Sequence, residues 1–518
     1  MTTLMRAPSP RSAAPAPSGL LTWAIAGLVT LGLLWLAFSM FVAGQGPLAV
    51  GLLAFGLIAV YVYASSTTLA WKYLFPGVAG MLIFVAFPLV YTMQIGFTNY
   101  SSSHLLTQDR ARAYLLEQTE VDEATLRPYA LHREGQALRL VLQPGDAGGE
   151  TLVSPPWVPG QGNGAPLTLS PGAAPATPAL TLREIIALRP ALQPLQLALP
   201  QGITLQYAGL REFGVVQPLW EPVDGGAVRQ RATGEVFRPN TDRGWFANDA
   251  GQTLQPGFKV NVGFANYSRM LLDADFRGPF VSIFVWTVTF AGLSVLFTTA
   301  LGMSLAVLLN WERLRGRTIY RTLLFLPYAV PGFISILVFK GLFNQNFGEI
   351  NAILDAVFGV RPAWFADPLL AKTMILIVNT WLGYPYIMVL CTGLIKAIPS
   401  DLYEASALAG AGPLTNFFRI TAPLIIKPLT PLLISVFAFN FNNFVLIALL
   451  TDGRPDYLNT KLPAGTTDIL VSYTYRIAFT DAGQNFGLAA AISTLIFFMV
   501  ALMSIVQLRA MRASANKS

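Results

Sequence analysis

The chain has 518 residues, of which 53% are hydrophobic and only 12% are charged, and its net charge is +7. Soluble domains carry about 25% charged residues, so this composition needs a lipid bilayer to cover its apolar surface. One cysteine, Cys391, excludes a disulfide framework. The only histidines, His104 and His132, are too few for a histidine zinc site, and their position in a long polar insertion disfavours a hydrolytic triad. We therefore expect a membrane protein without a catalytic site, metal or cofactor.

Eight apolar stretches reach the length of about 20 residues that a membrane-spanning helix needs. They are 20–42, 47–65, 73–96, 279–309, 322–343, 370–395, 424–450 and 484–508. Only a short Gly-Gln-Gly turn separates the first two, which predicts a helical hairpin of two spans. The pattern predicts an all-α polytopic membrane protein with about eight transmembrane helices.

A long polar segment, 97–277, separates the third span from the fourth and is large enough to form a domain. Strand-like runs at 137–143 and 203–207, with a helical pattern at 182–188, predict an α/β or β-rich fold. Gly, Pro, Ala and Ser dominate 144–180, which predicts a long loop there. The insertion contains 15 basic and 17 acidic residues, so the positive excess lies on the membrane-spanning part.

Basic residues in short loops predict the orientation, because such loops remain in the cytoplasm. Segment 311–321 contains four arginines against one acid, Glu312, and both termini are basic through Arg6, Arg11, Arg509, Arg512 and Lys517. We expect both termini in the cytoplasm and the insertion on the opposite side of the membrane, and we expect no nucleic-acid partner. The expected layout is a tail at 1–19, three helices at 20–96, the inserted domain at 97–277, a core of five helices at 278–510 and a tail at 511–518.

The cytoplasmic loop at 399–423 has an unusual helix signal. Asp401, followed three residues later by Glu404, predicts a capping box, and Gly410, Gly412 and Pro413 predict the helix end. The helix between them has few charges for a segment in water. It either inserts into a groove of a soluble partner or packs on the bilayer or on loops of its own subunit.

Polar and aromatic residues recur with helical spacing in the sixth and seventh predicted spans. The two sets are Asn379, Leu382, Gly383 and Tyr386, and then Phe439, Asn440 and Asn443. Amides in a bilayer need partners, so they indicate either adhesion between helices or a polar passage. Aromatic faces beside amides suit a sugar. Neither span has a clear mid-span acid or histidine, which disfavours an ion-coupled carrier.

Two further features concern movement and energy. Pro327 and Pro331 lie four residues apart in the fifth predicted span, which predicts a kink that either acts as a hinge or is static. No GxxxxGK[ST] phosphate loop occurs in the sequence. If ATP drives transport, we therefore expect another polypeptide to hydrolyse it.

The run Glu404-Ala-Ser-x-x-x-Gly410, continuing to Ile420 and Pro423, resembles the EAA loop of binding-protein-dependent ABC importer permeases. Four further runs resemble the maltose/maltodextrin group of that family: 326–331, 340–345, 379–386 and 437–444. The strong resemblance covers about 257–511. The first three spans match in pattern, and most of the insertion matches only in position and size.

The resemblance implies a type I ABC importer permease fold and several partners. These are a second permease subunit (MalG-like), an ATPase dimer (MalK-like) and a periplasmic sugar-binding protein, with maltose or maltodextrin as cargo. It assigns ATPase coupling to Glu404, Ala405, Ser406, Gly410, Ile420 and Pro423. It assigns sugar contacts to Asn379, Leu382, Gly383, Tyr386, Phe439, Asn440 and Asn443.

Three positions depart from the family pattern: Ala409 where Asp is common, Ala422 where Leu is common, and Val436 where Ser is common. Ser435, one residue away, is expected on a different face. These departures leave the contact with the ATPase and the preferred sugar length open. Other readings keep the mechanism with a different oligosaccharide or disaccharide, or make the chain a stand-alone secondary sugar carrier. A membrane-anchored enzyme or receptor is the weakest alternative.

Overall fold

The computed structural model describes residues 19–515, except 66, 145–149, 160–165, 312, 459, 461–462 and 482. The predicted tail up to residue 18, with Arg6 and Arg11, lies outside the described residues, as do Glu312 and Lys517. The chain divides into two compact units, Met1–Thr92 and Met93–Ser518, each described by itself.

The first unit consists of apolar helices. They are α1 Gly19–Val42, α2 Gly46–Ala64, α3 Leu69–Met81 and the start of α4 Phe87–Gly96, with a π-helical turn at Leu82–Ala86 between α3 and α4. The chain turns from α1 into α2 at Gly44, whose φ is +78°. A Cβ on Gly56 would lie 2.8 Å from Leu33 Cδ1, so glycine permits the close approach of α1 and α2. The predicted hairpin is confirmed.

The inserted domain of the second unit contains α5 Gln108–Leu116, α6 Leu182–Leu192 and fifteen strands in its described residues. The strands are β1 Thr119–Val121, β2 Arg127–Glu134, β3 Ala137–Leu142, β4 Leu152–Val153, β5 Leu167–Thr168, β6 Ser170–Pro171, β7 Gln196–Ala198, β8 Thr204–Gly209, β9 Glu212–Gly214, β10 Val216–Pro218, β11 Trp220–Pro222, β12 Val228–Gln230, β13 Val236–Asn240, β14 Trp245–Ala247 and β15 Thr253–Leu254. One sheet has the order β5-β7-β8-β9-β2-β3-β4-β6, another is the meander β11-β12-β13-β14-β15, and β1 pairs with β10.

Each large sheet packs against one helix. Ile185 and Leu192 of α6 join the buried core of the eight-stranded sheet, and Ala111 and Leu115 of α5 join the core of the meander. The predicted β-rich domain is confirmed. The long loop expected at 144–180 instead supplies the two-residue strands β4, β5 and β6. Such short strands pair through the backbone and leave little side-chain pattern to detect.

The membrane core follows the inserted domain. Its helices are α7 Ala265–Leu272, α8 Ala274–Asn310, α9 Arg317–Phe325, α10 Gly332–Leu342, α11 Glu349–Phe358, α12 Pro368–Lys396, α13 Ser400–Leu408, α14 Pro413–Asn416, α15 Ala422–Phe441, α16 Phe444–Leu450, α17 Leu470–Tyr475 and α18 Phe486–Ala515. Short π-helical turns occupy Phe417–Thr421 and Arg476–Thr480.

Six helical segments of the described chain are long and apolar enough to cross a membrane, and a bent pair brings the number to seven. The predicted first span corresponds to α1. It is not among these six or seven segments, because its apolar part, Gly27–Val42, is shorter than the length required of a span. Two predicted spans are not continuous helices. The fifth bends by 93° between Arg317–Ala329 and Gly332–Leu342, and the seventh breaks between Phe441 and Phe444.

Helix α12 lies at the centre of the membrane core. Its Ile387 and Cys391 pack with Met303 of α8 and Ile425 of α15 in one buried cluster. Farther toward the start of α12, Met374 and Val378 join a second cluster with Ile336 of α10 and Leu446 of α16. The polar face of α12 between these clusters is thereby held against its neighbours.

Candidate functional site

A cavity of about 660 Å³ lies between α10, α12 and α15. The bend between α9 and α10 forms one wall through Tyr328 and Phe333. The seven residues predicted to contact a sugar all line this cavity: Asn379, Leu382, Gly383, Tyr386, Phe439, Asn440 and Asn443. Helical spacing thus placed the two sets on facing sides of one space.

Three amides form a hydrogen-bonded cluster at the base of this face. Asn379 Nδ2 donates to Ser294 Oγ at 2.7 Å and to Asn440 Oδ1 at 2.8 Å. Asn443 Nδ2 donates to Asn379 Oδ1 at 3.3 Å, and Asn440 Nδ2 donates to the Val436 carbonyl at 2.9 Å. Asn379 and Asn440 are buried. Both N–H donors of Asn379 are used within the chain, so this amide holds α8, α12 and α15 together.

Asn443 also explains why the predicted seventh span is broken. Its Oδ1 accepts from the Leu446 amide at 3.4 Å, as the N-cap of α16. An asparagine side chain that bonds its own backbone competes with a continuous helix. The break leaves Asn443 half-buried at the cavity wall while it bonds to Asn379.

Aromatic side chains provide the open surface of the cavity. Phe439 is 69% exposed and Tyr386 is 38% exposed, and Tyr328 lies exposed on the bend opposite them. The sequence analysis did not select Tyr328, although it lies between the two prolines already noted. Val436 and Ser435 both line the cavity. The different face expected for Ser435 does not exclude it from the cavity, because the cavity extends around more than one face of α15.

Gly383 sets the separation of α8 and α12. A Cβ at this position would lie 2.7 Å from Thr298 Cγ2, closer than side-chain atoms pack. Thr298 Oγ1 donates to the Ser294 carbonyl at 2.6 Å, which fixes the threonine methyl group toward α12. The close packing of α8 and α12 therefore accounts for glycine at this position, independently of any contact with a ligand.

The predicted kink at Pro327 and Pro331 is confirmed as a sharp bend. A 3₁₀ turn at Leu326–Ala329 separates α9 from α10. The Leu324 carbonyl near the end of α9 accepts a hydrogen bond of 2.9 Å from the Tyr384 hydroxyl on α12. The bend is thus tied to the helix that carries the cavity face.

The segment at 399–423, here called the coupling segment, begins differently from the prediction. Pro399 is the N-cap of α13, and no side chain caps it; Asp401 lies in the first turn instead. The predicted capping box between Asp401 and Glu404 is wrong because the helix starts earlier. Proline has φ near −65° and precedes the helix without needing a side-chain cap.

The predicted end of that helix is confirmed. Gly410 has φ +74°, its amide donates to the Ala407 carbonyl at 3.0 Å, and the Ala411 amide donates to the Ser406 carbonyl at 3.0 Å. These two bonds define a Schellman motif, whose left-handed position favours glycine. The backbone geometry of the turn accounts for Gly410.

Apolar and acidic side chains of the coupling segment face outward. Leu408 is 91% exposed and Phe418 is 67% exposed. Glu404 and Ala405 are also exposed, and Glu404 forms no ion pair within the described residues. Two hydrogen bonds hold the segment together on its inner side. The Tyr403 hydroxyl bonds to the Thr421 hydroxyl at 2.9 Å, and the Ser406 hydroxyl bonds to the Asn416 side chain. Ile420 is half-buried. Pro423 is exposed at the start of α15.

A buried ion pair escaped the sequence analysis. Asp468 is fully buried, and its Oδ2 accepts from Arg476 Nη1 and from the Gly465 amide, both at 2.8 Å. Arg476 Nη2 also donates to Asp456 Oδ1 at 2.7 Å. The arginine thereby joins Asp456 and Asp468 to the π-helical turn that follows α17. The members of the ion pair lie in a segment without periodic pattern, so no sequence signal joined them.

Within the described residues, no group of three or more His, Cys, Asp or Glu side chains could hold a metal ion. The cavity is lined by amides, hydroxyls and aromatic rings, together with aliphatic side chains. Such groups bind neutral polyhydroxylated molecules by hydrogen bonding and ring stacking.

Two family profiles match the chain. "Binding-protein-dependent transport system inner membrane component" covers residues 298–513, and "Maltose transport system permease protein MalF P2 domain" covers residues 106–263. The fold and the first match define a multi-pass inner-membrane permease. Among solved structures, a bacterial ABC transporter that imports alginate has a TM-score of 0.40 at 22% identity, over 48% of this chain and 84% of that one. A TM-score of that size adds nothing to the assignment.

Full-length relatives are much more similar. The maltose/maltodextrin transport system permease protein MalF of Klebsiella aerogenes is 48% identical over 500 residues, which are 95% of this chain and 96% of that protein. The MalF protein of Escherichia coli K12 is 48% identical over 503 residues, 96% of this chain and 97% of that protein. The chain belongs to the MalF family of maltose/maltodextrin transport system permease proteins.

Proposed function

We propose that this chain is the membrane-spanning permease subunit of an ATP-driven importer, and that its cavity passes maltose and maltodextrins. The cavity carries the proposal: at about 660 Å³ it has the size of a small-molecule site. Apolar faces of glucose rings can stack on Phe439 and Tyr386. Ring hydroxyls can bond to the tyrosine hydroxyls and the half-buried amide of Asn443. The names of the full-length relatives support this cargo.

The buried amides have a different role from the open ones. Asn379 and Asn440 bond to each other, and they also bond to Ser294 and to the Val436 carbonyl, respectively. We assign them to fixing the helices at the base of the cavity. Direct sugar contact then falls mainly on Phe439, Tyr386 and Asn443.

Energy reaches this cavity through the coupling segment. Its exposed Glu404 and Leu408 have the acidic and apolar character of a docking helix. Of these two residues, the family resemblance assigns Glu404 to contact with an ATPase. We infer an assembly with a MalK-like ATPase dimer, a MalG-like second permease and a periplasmic sugar-binding protein. ATP hydrolysis belongs to the separate ATPase, and this subunit is not catalytic. The inserted domain helps to hold the binding protein.

The same proposal fixes the orientation. Arg313, Arg315, Arg317 and Arg321 lie in or beside one short loop, which belongs in the cytoplasm by the positive-inside rule. With three spans before the inserted domain and five after it, the coupling segment and both termini lie on the same side as this loop. The inserted domain then lies in the periplasm.

The test is sugar uptake by the assembled importer in proteoliposomes, with maltose and with longer dextrins. Phe439→Ala removes a stacking surface worth about 0.5–1.5 kcal/mol, so uptake at limiting sugar should fall roughly 2- to 13-fold. Phe498→Ala is the matched control, since Phe498 is an exposed phenylalanine of α18 outside the cavity. Equal uptake by the two variants would place the sugar path elsewhere.

Two alternatives have their own outcomes in this assay. Uptake without ATP and without the partner subunits would identify a secondary carrier. ATP-dependent uptake of another oligosaccharide or disaccharide, with maltose ineffective, would keep the mechanism and change the cargo. Val436 makes the second outcome informative, because a serine hydroxyl common in the family is absent at that cavity position.

A further inference from the structure

Helix α9 has two chemically distinct faces. At 100° per residue, Arg317, Thr318, Arg321 and Thr322 fall on one side, together with the terminal Phe325, whereas Ile319, Tyr320, Leu323 and Leu324 fall on the other. A short basic amphipathic helix of this kind is typical of a membrane surface.

The apolar face of α9 is only partly covered by protein. Leu324 packs against the cluster that joins α8, α12 and α15. Ile319, in contrast, is 65% exposed, and Leu323 and Tyr320 are about half exposed. Neighbouring exposed apolar side chains need a cover other than water.

The polar side of this region is strongly basic. Arg313 and Arg315 precede the helix, and Arg317 and Arg321 lie on it, all four with exposed side chains. None of the four has an ion-pair partner among the residues that the structure describes. Exposed guanidinium groups next to an uncovered apolar face match the two layers of a phospholipid leaflet, phosphate and acyl chain.

The bend supports the same placement. Residues Arg317–Ala329 turn by 93° from the axis of Gly332–Leu342, so α9 runs across the direction of α10. The residues of the bend line the cavity, and Tyr384 bonds the end of α9 to α12. A ligand that fixes α9 therefore acts on one cavity wall.

We propose that α9 and residues 313–316 form a binding site for the phosphate groups of anionic phospholipids in the inner leaflet. The four arginines bind the phosphates, and Ile319, Tyr320 and Leu323 insert among the upper acyl chains. The site rests on the proposed cytoplasmic position of the loop. It adds a lipid requirement to that orientation: bound anionic lipid holds the bend and thereby the cavity wall.

The test uses the complete importer in nanodiscs of phosphatidylcholine with or without phosphatidylglycerol. Native mass spectrometry counts retained phosphatidylglycerol, and ATP turnover is measured in parallel. The variant R313Q/R315Q/R317Q/R321Q should bind phosphatidylglycerol at least about tenfold more weakly, since each arginine near an anionic surface contributes a several-fold effect. Its turnover should no longer respond to this lipid.

Matched variants separate charge from position. R183Q/R189Q/R211Q/R229Q removes the same charge from exposed arginines of the inserted domain and should retain lipid as wild type does. Replacing the four loop arginines by lysine should preserve the lipid response. If the glutamine variant fails to assemble, the single variants R317Q and R321Q should each show a partial loss of retained lipid.

Three results would overturn the proposal. The first is equal phosphatidylglycerol retention in wild type and the glutamine variants. The second is competition by inorganic phosphate as effective as by the lipid, which would indicate a free-anion site. The third is loss of ATPase binding with unchanged lipid retention, which would assign α9 to a protein partner. Lipid retention is scored without sugar transport, so its failure is distinguishable from failure of the proposed function.

Discussion

The cavity wall and the coupling segment differ in where their functional groups find partners. In the cavity wall, Asn379 and Asn440 are buried and bonded within the chain. In the coupling segment, Glu404 and Leu408 are exposed, while Tyr403 and Ser406 secure the segment from behind. Substitutions of the buried amides should therefore reduce the stability of the isolated subunit, whereas substitutions of the outward-facing Glu404 and Leu408 should reduce function only in the assembly.

The largest stability effect is expected for Asn379→Ala. The change leaves three groups without their partner, because Ser294, Asn440 and Asn443 all bond to this amide. With about 1–3 kcal/mol for each buried unsatisfied group and some relaxation, the variant should lose about 3 kcal/mol of unfolding free energy.

The measurement is denaturation of the purified subunit in detergent. Asn442→Ala is the control, because Asn442 is exposed next to the same cluster and, among the described residues, its side chain bonds only to the nearby Ala438 carbonyl. Equal stability of the two variants would show that the amide cluster does not hold the helices together.

Gly383→Ala should have the next effect. The new methyl group would meet Thr298 Cγ2, and such overpacking costs about 1–3 kcal/mol. Gly393→Ala on the same helix has no atom within 4 Å of its Cβ and should be neutral or slightly stabilising. The double variant Gly383→Ala/Thr298→Ser removes the obstructing methyl group and keeps the hydroxyl. Thermal unfolding should show recovery in the double variant, and the absence of recovery would contradict the packing explanation.

Gly410→Ala should have the smallest stability effect, because it strains only the Schellman turn. A side chain in the left-handed region costs about 1 kcal/mol. Gly412→Ala has φ −79° and open space around it, so it should cost less. Hydrogen exchange of the coupling segment, in subunit and assembly, measures the difference. If both variants exchange like wild type, the glycine requirement lies in partner contact rather than in the backbone.

Sequence reasoning located the cavity but not all of its construction. Their seven-residue spacing is enough to predict that Asn379 and Tyr386 share one face of a helix. The bend was predictable because Pro327 and Pro331 each remove a backbone hydrogen-bond donor. The N-cap role of Asn443 was missed because it competes with a hydrophobic pattern that continues through α16. The capping box predicted from Asp401 is wrong because Pro399 is the N-cap and Asp401 already lies in the first turn of the helix. The Asp468–Arg476 pair depends on tertiary contacts that local sequence does not encode.

The most direct test of the account is sugar-stimulated ATP turnover by the assembled importer with Glu404→Lys. Glu349→Lys is the control: it reverses an exposed acid in the first turn of another short helix, α11. Coupling between sites is typically worth 1–3 kcal/mol, so Glu404→Lys should lower stimulated turnover about 5- to 150-fold. The unfolding free energy of the isolated subunit should remain that of wild type. Equal stimulated turnover in wild type and Glu404→Lys would contradict the claim that this segment transmits ATP hydrolysis to the sugar cavity.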